Sequence, residues 1–438
     1  MNGLRKATWT LCWTALAMAA AAELRAQTVR SARQPNGAGR QSVPTREANQ
    51  PSAVYDDVAQ FGGPTSVGGV LAEDSSGAPR FRLQTLDDHF GPWRDFKSQV
   101  NEEIGLQFEI DESLLYQAVS PSPTESDAAA GLVRVFGQWE LLGRGSDHPG
   151  FLVYKAEHRH RIGSITPFNL GFSAGSNLPT GTFFSEFDFT VTNLYWKQYW
   201  FDRQLAVAVG RIDVTDFIVV YARMNPLTHV LNLAFSTNPT IAVPNQGLGA
   251  AAGGMLTERL YFQGGFGDAN GQPTQAGFDT FFDDSEYFSY VEFGATSSQE
   301  RIYLDNVHVT LWNAEAREFA GTPSSWGVAF TAQKFCQDRW LPFFRFGYSD
   351  GDAALMQTTF STGLGLAREN KDVLGCGVSW GKPTDGSLRD QFTSEVFYRF
   401  QLTQFLAITP DAQFIVNPAS NPSADALAFF GIRLRAAL

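Results

Sequence analysis

The sequence predicts an all-β fold: a transmembrane antiparallel up-and-down β-barrel of about sixteen strands, preceded by a short N-terminal amphipathic helix. Three observations carry this. From Gln391 the chain alternates apolar and polar residues in three successive stretches. Val396, Tyr398 and Phe400 oppose Glu395, Phe397 and Arg399; Ala412, Phe414 and Val416 oppose Asp411 and Gln413; Phe430, Ile432 and Leu434 oppose Gly431, Arg433 and Arg435. Side chains on a strand point alternately to its two faces, so each stretch has one apolar and one charged face. Second, short and long connections alternate along the chain, as they do where short turns close one rim of a membrane barrel and loops the other. Third, 37 Phe and 10 Trp coexist with a mean hydropathy of -0.17. Alternating strands dilute large apolar residues with polar ones in this way.

The N-terminus has the pattern of an export signal. Arg5 and Lys6 precede the apolar run Ala7–Ala22, and small residues near Ala22 and Ala26 offer cleavage sites, so residues 1–26 are expected to be removed. That removal takes away three basic residues and one acidic residue, which changes the net charge of -12 to about -14. So acidic a chain is a poor nucleic-acid binder. No later segment approaches the roughly 20 apolar residues of a helical membrane span. Residues 27–85, rich in Ser, Pro, Gly and Gln, are expected to be a low-complexity tail without structure. Residues 86–438 form the barrel domain. It opens with a helix over 92–104, where Pro92 stands at its start, Trp93, Phe96, Val100 and Ile104 make one stripe, and Gly105 stops it.

The strands are expected to begin near Leu106, Leu132, Phe151, Thr190, Gln204, Leu248, Arg259, Tyr287, Asn306, Ser325, Arg339, Met356, Asp372, Gln391, Gln404 and Asp425. Phe201–Arg203, Thr257–Glu258, Gln337–Asp338, Glu369–Lys371 and Leu402–Thr403 read as tight turns. Gly163–Phe189, Asp216–Gly247, Asp268–Glu286, Gly381–Asp390 and Asn417–Ala424 read as long links. In hydrocarbon every backbone donor and acceptor must be paired within the protein, so the sheet must close. A closed sheet of this size leaves a lumen too wide for its own side chains to fill, which implies an aqueous channel. Cys336 and Cys376 are separated by three strands, roughly 14 Å at about 4.8 Å per strand, too far for a disulfide.

If the apolar parity meets lipid, the opposite parity names the inner wall. The second strand contributes Arg134, Gln138 and Glu140, the third Lys155, Glu157 and Arg159, and the fourth Tyr195, Lys197 and Tyr199. The eleventh contributes Phe343 and Arg345, and the last three Glu395, Arg399, Asp411, Gln413, Arg433 and Arg435. In the fifth strand Arg211 and Asp213 share parity with Leu205, Val207 and Val209, which implies a bulge near Gly210 or an exit from the lipid band. A wall carrying both charge signs and aromatic rings suits neutral polar solutes: carboxylates accept from hydroxyls, guanidinium groups donate in a fork, and rings cover apolar faces. A ring of one sign would select ions instead. The same wall also serves the plain purpose of keeping an interior wet. Asp216–Gly247 is the candidate constriction loop, since Phe217–Tyr221 and Leu231–Phe235 are too apolar for a loop in water; an external hairpin is the alternative.

Several stretches taken together resemble the carbohydrate-selective porins of the OprB family, from Phe90 to Leu438. They are Phe90–Phe96 with Glu102–Ile110 at the entry, Leu205–Asp213, Asn306–Asn313 and Leu341–Gly347. Asp372–Gly381 and the ending Glu395, Tyr398, Arg399, Pro410–Gln413, Asn417, Pro418 and Gly431–Leu434 complete the set. The resemblance implies a passive outer-membrane channel for mono- or oligosaccharides, with no enzymatic activity and no cofactor. Its expected partners are those sugars, membrane lipid and lipopolysaccharide, and the barrel-assembly machinery; a homo-oligomer is compatible with it.

Other motifs are weaker. Gly171–Gly175 fits G-x-S-x-G, yet that elbow needs a strand–turn–helix setting and here lies in a long loop. His158 and His160 share one strand face, where an interfacial position is favoured over a metal. Asp279, Asp283, Asp284 and Glu286 match no calcium-loop spacing. The competing functions are a general or anion-leaning porin, a barrel hydrolase using Ser173 with His148 or His229, and a structural or adhesive barrel plugged by its own tail.

Overall fold

The computed structural model describes residues 61–75, 84–219, 222, 224–368 and 372–438, with the side chains of 84–88 excluded. The expected signal at 1–26, most of the tail and the turn at 369–371 lie outside the described residues. The chain divides into Met1–Gln50 and Pro51–Leu438, and the described residues all belong to the second unit.

Sixteen strands close into one antiparallel barrel in sequence order, with the last paired to the first. They are β1 (Leu106–Ser120), β2 (Asp127–Leu142), β3 (Gly150–Arg161), β4 (Phe187–Trp200), β5 (Leu205–Ile212), β6 (Gly247–Met255), β7 (Leu260–Asp268) and β8 (Tyr287–Thr296). The second half comprises β9 (Asn306–Ala314), β10 (Ser325–Gln333), β11 (Trp340–Asp350), β12 (Met356–Ala367), β13 (Val373–Pro383), β14 (Gln391–Gln401), β15 (Leu406–Val416) and β16 (Ala426–Ala437). The seam is sealed by reciprocal backbone bonds between Ile110 and Leu438, 3.1 and 2.8 Å. No helix among the described residues is long and apolar enough to cross a membrane.

The period-2 pattern sorts the wall as expected. In β16 Phe430, Ile432 and Leu434 are exposed outward, while Arg433 and Arg435 are buried inward. β14 and β15 follow the same rule. Strand starts agree with expectation to within a few residues except in β2, which begins at Asp127. Its first turn, Ala128–Ala129–Ala130–Gly131, has too little contrast between faces to betray a strand. Gln337 and Asp338, with φ of 53° and 49°, supply the two left-handed residues that a tight hairpin turn requires. Irregularity in β5 sits at Gly210, whose φ of +141° turns the strand without breaking register: Tyr195 stays opposite Gly210 and Leu194 opposite Arg211. A Cβ there would stand 2.6 Å from the Leu194 carbonyl oxygen. Cys336 and Cys376 are both free.

Among the described residues four helices accompany the barrel: α1 (Val67–Ser75), α2 (Gln84–Ile104), α3 (Pro167–Ala174) and α4 (Leu233–Ser236). α2 begins earlier than the expected Pro92, which stands inside it. That proline is exposed, where water can meet the carbonyl whose helical bond is lost. Trp93 and Phe96 pack on outward-facing Phe108 of β1, ring centroids 5.7 and 6.4 Å apart, and Lys97 pairs with inward-facing Glu109 at 3.0 Å. α2 therefore straddles the rim of β1. Its final carbonyls accept from Arg144 and Trp139.

One expectation is corrected. Within the segment read as an unstructured tail, Phe61–Ser75 folds into the barrel and contains α1. Phe61, Val67, Val70 and Leu71 are buried in an apolar cluster with Phe136, Phe151 and Tyr199 of the inner wall. Composition underestimated this segment because its partners belong to distant strands.

Candidate functional site in the barrel interior

The inner wall carries a ladder of paired charges. Asp111 of β1 sits between two guanidinium groups: Arg134, its cross-strand partner on β2, donates from Nε at 2.8 Å, and Arg435 of β16 donates from Nη2 at 2.6 Å. Glu157 sits likewise between Lys155 at 3.5 Å and Arg159 at 2.7 Å, three residues of one β3 face. Aromatic rings lie among these charges. Lys197 lies 5.6 Å from the Phe151 ring and 5.4 Å from the Tyr199 ring; Arg134 covers Phe136, Arg345 covers Phe343, and Arg159 covers Phe187. Tyr195 meets the Phe217 ring at 5.9 Å. Gln138 bonds Gln107 across β1, and Glu140 is half-buried beside the turn-side rim.

The connection between β5 and β6, residues 213–246, folds inward. Asp213 caps its opening 3-10 turn through Thr215 N and accepts from Gln246 at the far end, so it staples the two ends together. Leu231 and Asn232 donate their backbone N–H groups to the Glu395 carboxylate. Asn232 Nδ2 donates to Gln413 at 2.8 Å, Arg345 to the Phe235 carbonyl at 2.6 Å, and Arg433 to the Pro226 and His229 carbonyls at 2.9 Å each. Opposite, Val219 N and Gln263, Tyr261 and Thr310 side chains all donate to Glu292. The expected infolding of Asp216–Gly247 is therefore the observed one. Glu395, Gln413, Arg345 and Arg433, named from parity, spend their hydrogen bonds on this loop. Asp411 accepts from Gln413 beside them.

Arg211 behaves differently from its expected place on the wall. Beyond the Gly210 kink its guanidinium donates to the carbonyls of Val191, Gln272, Pro273 and Gln275, clamping the β7–β8 loop at the barrel mouth. Register is unbroken through Gly210, so Arg211 keeps the outward parity of Leu205, Val207 and Val209 and does not line the inner wall.

The third layer is Phe61–Ser75. Gly63 N donates to the Asp216 carbonyl at 2.7 Å, Gly62 N to the Tyr303 hydroxyl at 3.0 Å, and Asn225 to the Pro64 carbonyl at 3.2 Å. At the other end of the segment Glu73 pairs with Arg399 of β14, and Asp74 accepts both Nη1 and Nη2 of Arg435 at 2.7 and 2.6 Å. Burial pushes the Glu73 carboxyl up, but Arg399, with His229 and Arg435 behind it, outweighs that and holds it at about 2. For Asp216 burial wins. Its value rises to about 6, with Asp213 adding to the rise and Lys155, Thr65 and Asn193 opposing it.

Parity reasoning missed Asp111, Glu109 and Glu292. The first two were legible, since Glu109, Asp111, Ser113 and Gln117 share one face of β1. Glu292 was hidden: Phe288 and Tyr290 share its face, and an aromatic face imitates a lipid-facing one. The elements of a hydrolase do not meet. Ser173 on α3 bonds Thr124 at the loop rim, His148 lies in the β2–β3 turn at the opposite rim, and His229 is buried beside Phe397. His158 and His160 stack on each other on the outer face of β3, 5.3 Å apart, and among the described residues no cluster suited to a metal occurs.

A closed sixteen-strand barrel with an apolar exterior, a charge-laddered interior and an infolded loop defines an outer-membrane-type porin. The profile of the carbohydrate-selective porin, OprB family, matches residues 155–438, and the chain belongs to that family. Among solved structures, the high-pH form of Pseudomonas putida OprB superposes with a TM-score of 0.63 at 14% identity, covering 83% of this chain and 99% of that one. Its low-pH form gives 0.48 at 13% identity over 83% and 100%. A Rh. blastica porin mutant gives 0.48 at 8% identity over 76% and 100%. No curated protein matches the sequence.

Proposed function

We propose that this porin is an outer-membrane diffusion channel selective for mono- or oligosaccharides, its constriction formed where the infolded loop meets the mixed-charge wall. The observation that carries this is the alternation of charges and rings along β2, β3 and β4: Arg134, Lys155, Glu157, Arg159 and Lys197 interleaved with Phe136, Phe151, Tyr195 and Tyr199. A sugar offers hydroxyls that donate to carboxylates and accept from cations, together with an apolar face for a ring. Paired charges bind such a solute without selecting an ion. The family's description as carbohydrate-selective supports the same solute class. In this reading β14–β16 hold the loop, and β2–β4, whose Phe136, Phe151 and Tyr199 pack against Phe61–Leu71 in this structure, meet the solute when that segment is displaced.

The test is conductance of the full chain in planar bilayers, titrated with glucose, maltose and an uncharged polymer of similar size. Saturable block by a sugar but not by the polymer is expected, and Lys197→Met with Glu157→Gln should weaken it. Current indifferent to every sugar would leave a general porin.

A further inference from the structure

We propose that Arg399 and Arg435 form a binding site for acidic solutes, sugar acids above all, and that the chain's own helix α1 occupies it as a releasable plug. The solute class rests on the carbohydrate reading; the plug does not.

The argument starts from a local conflict. α1 has nine residues and no basic residue in its last turn, which instead carries Glu73 and Asp74. Carboxylates at a helix C-terminus face the negative end of the helix dipole. A helix this short is also well below the roughly 12–15 residues at which isolated helices become even marginal in water. Nothing local favours these residues here. What compensates is the wall: Glu73 meets Arg399, and Asp74 takes the Arg435 fork bidentately. A guanidinium fork engaged in this way matches any carboxylate or phosphate of similar reach.

The wall is prepared for α1 to leave. Arg435 keeps Asp111, at 2.6 and 2.9 Å, and Arg399 keeps Gln401 at 2.9 Å, so neither cation is stranded. Within α1 the buried apolar side chains are Val67, Val70 and Leu71, and the other end of the segment is held by the buried Phe61 ring, by single hydrogen bonds at Gly62, Gly63 and Pro64, and by Thr65 on Asp216. A solute carrying its own carboxylate replaces the interaction that α1 makes. A neutral sugar cannot.

Planar-bilayer recordings on the full chain test this with galacturonate, galactose and acetate as probes at constant ionic strength. The wild type should be mostly closed, and Glu73→Gln with Asp74→Asn should raise mean conductance about tenfold, equivalent to about 1.4 kcal/mol of docking. Leu71→Asp, which attacks the apolar contact instead, should do the same. Galacturonate should open the wild type at the lowest concentration, acetate only at higher concentration and galactose not at all, and Arg399→Gln with Arg435→Gln should abolish the response to both acids. Wild-type conductance in both the carboxamide variant and Leu71→Asp would refute the plug. Equal action of galactose and galacturonate would refute the acid site while leaving the sugar channel standing. Silence of every variant in barrels shown intact by heat-modifiable mobility would sink the channel itself and this proposal with it.

Discussion

Replacing Arg433 with methionine removes a side chain that grips the infolded loop at both Pro226 and His229. Arg433 is 1% exposed, and its two N–H groups donate to those carbonyls at 2.9 Å. A hydrogen bond to a charged group contributes about 1.5–3 kcal/mol. Losing two forfeits about 3–6, offset by relief of a buried guanidinium, and a net loss of about 2–4 kcal/mol of loop docking is expected. Glu395 still holds Leu231 N and Asn232 N, so the loop opens more often without leaving. Deuterium exchange over peptides spanning 224–236 reads this directly: about 3 kcal/mol corresponds to roughly 100-fold faster exchange at Leu231 and Asn232. Combining Arg433→Met with Glu395→Gln should cost less than the sum of the two, because both act on one loop. Exchange unchanged within about twofold in Arg433→Met would refute the assignment of the loop's anchorage to this arginine.

Three further outcomes rest on named contacts. Glu73 sits at about 2 when docked against an ordinary 4.5, facing Arg399, Arg435 and His229. Its contribution to docking is complete above pH 4.5 and lost as pH falls toward 2, at most about 3 kcal/mol before discounting for its 26% exposure. Conductance should therefore rise through that window in the wild type and not in Glu73→Gln. Asp216 has the opposite sign: raised from 3.8 to about 6 by burial, among Lys155, Asp213, Thr65 and Asn193, it favours the docked loop below pH 3.8 and loses that contribution as pH rises through 6. Asp216→Asn should slow exchange over 214–219 at pH 8 and leave it unchanged at pH 4. On the outer face, Ile432→Arg should destabilise the barrel by about 2–4 kcal/mol in bilayer refolding titrations if that face meets the membrane midplane, and by about 0–1 if it lies at the interface.

The wall was legible because a strand in a closed membrane sheet has only two faces and the solvents on them differ. Phe430, Ile432 and Leu434 could only be outward once Arg433 and Arg435 were inward, and the same logic recovered β14 and β15 without any tertiary information. Where both faces carry apolar residues the logic fails. Phe288 and Tyr290 point inward because the infolded loop, not water, meets them, and Glu292 was lost behind them. Arg211 kept the outward parity of Leu205, Val207 and Val209, and its place at the mouth is set by the β7–β8 loop carbonyls it meets, which parity says nothing about.

Sequence by itself determined the barrel, its strand order and the inward side of the charges in β2, β3 and β14 to β16, since alternation and turn spacing are local and repeat along those strands. Tertiary structure alone decided what fills the interior. Glu73 lies 326 residues from Arg399, and Asp74 lies 361 from Arg435. The Gly- and Ser-rich text around α1 carries no local signal strong enough to predict a helix. Its conformation is selected by two guanidinium groups and an apolar pocket that exist only after the sheet has closed.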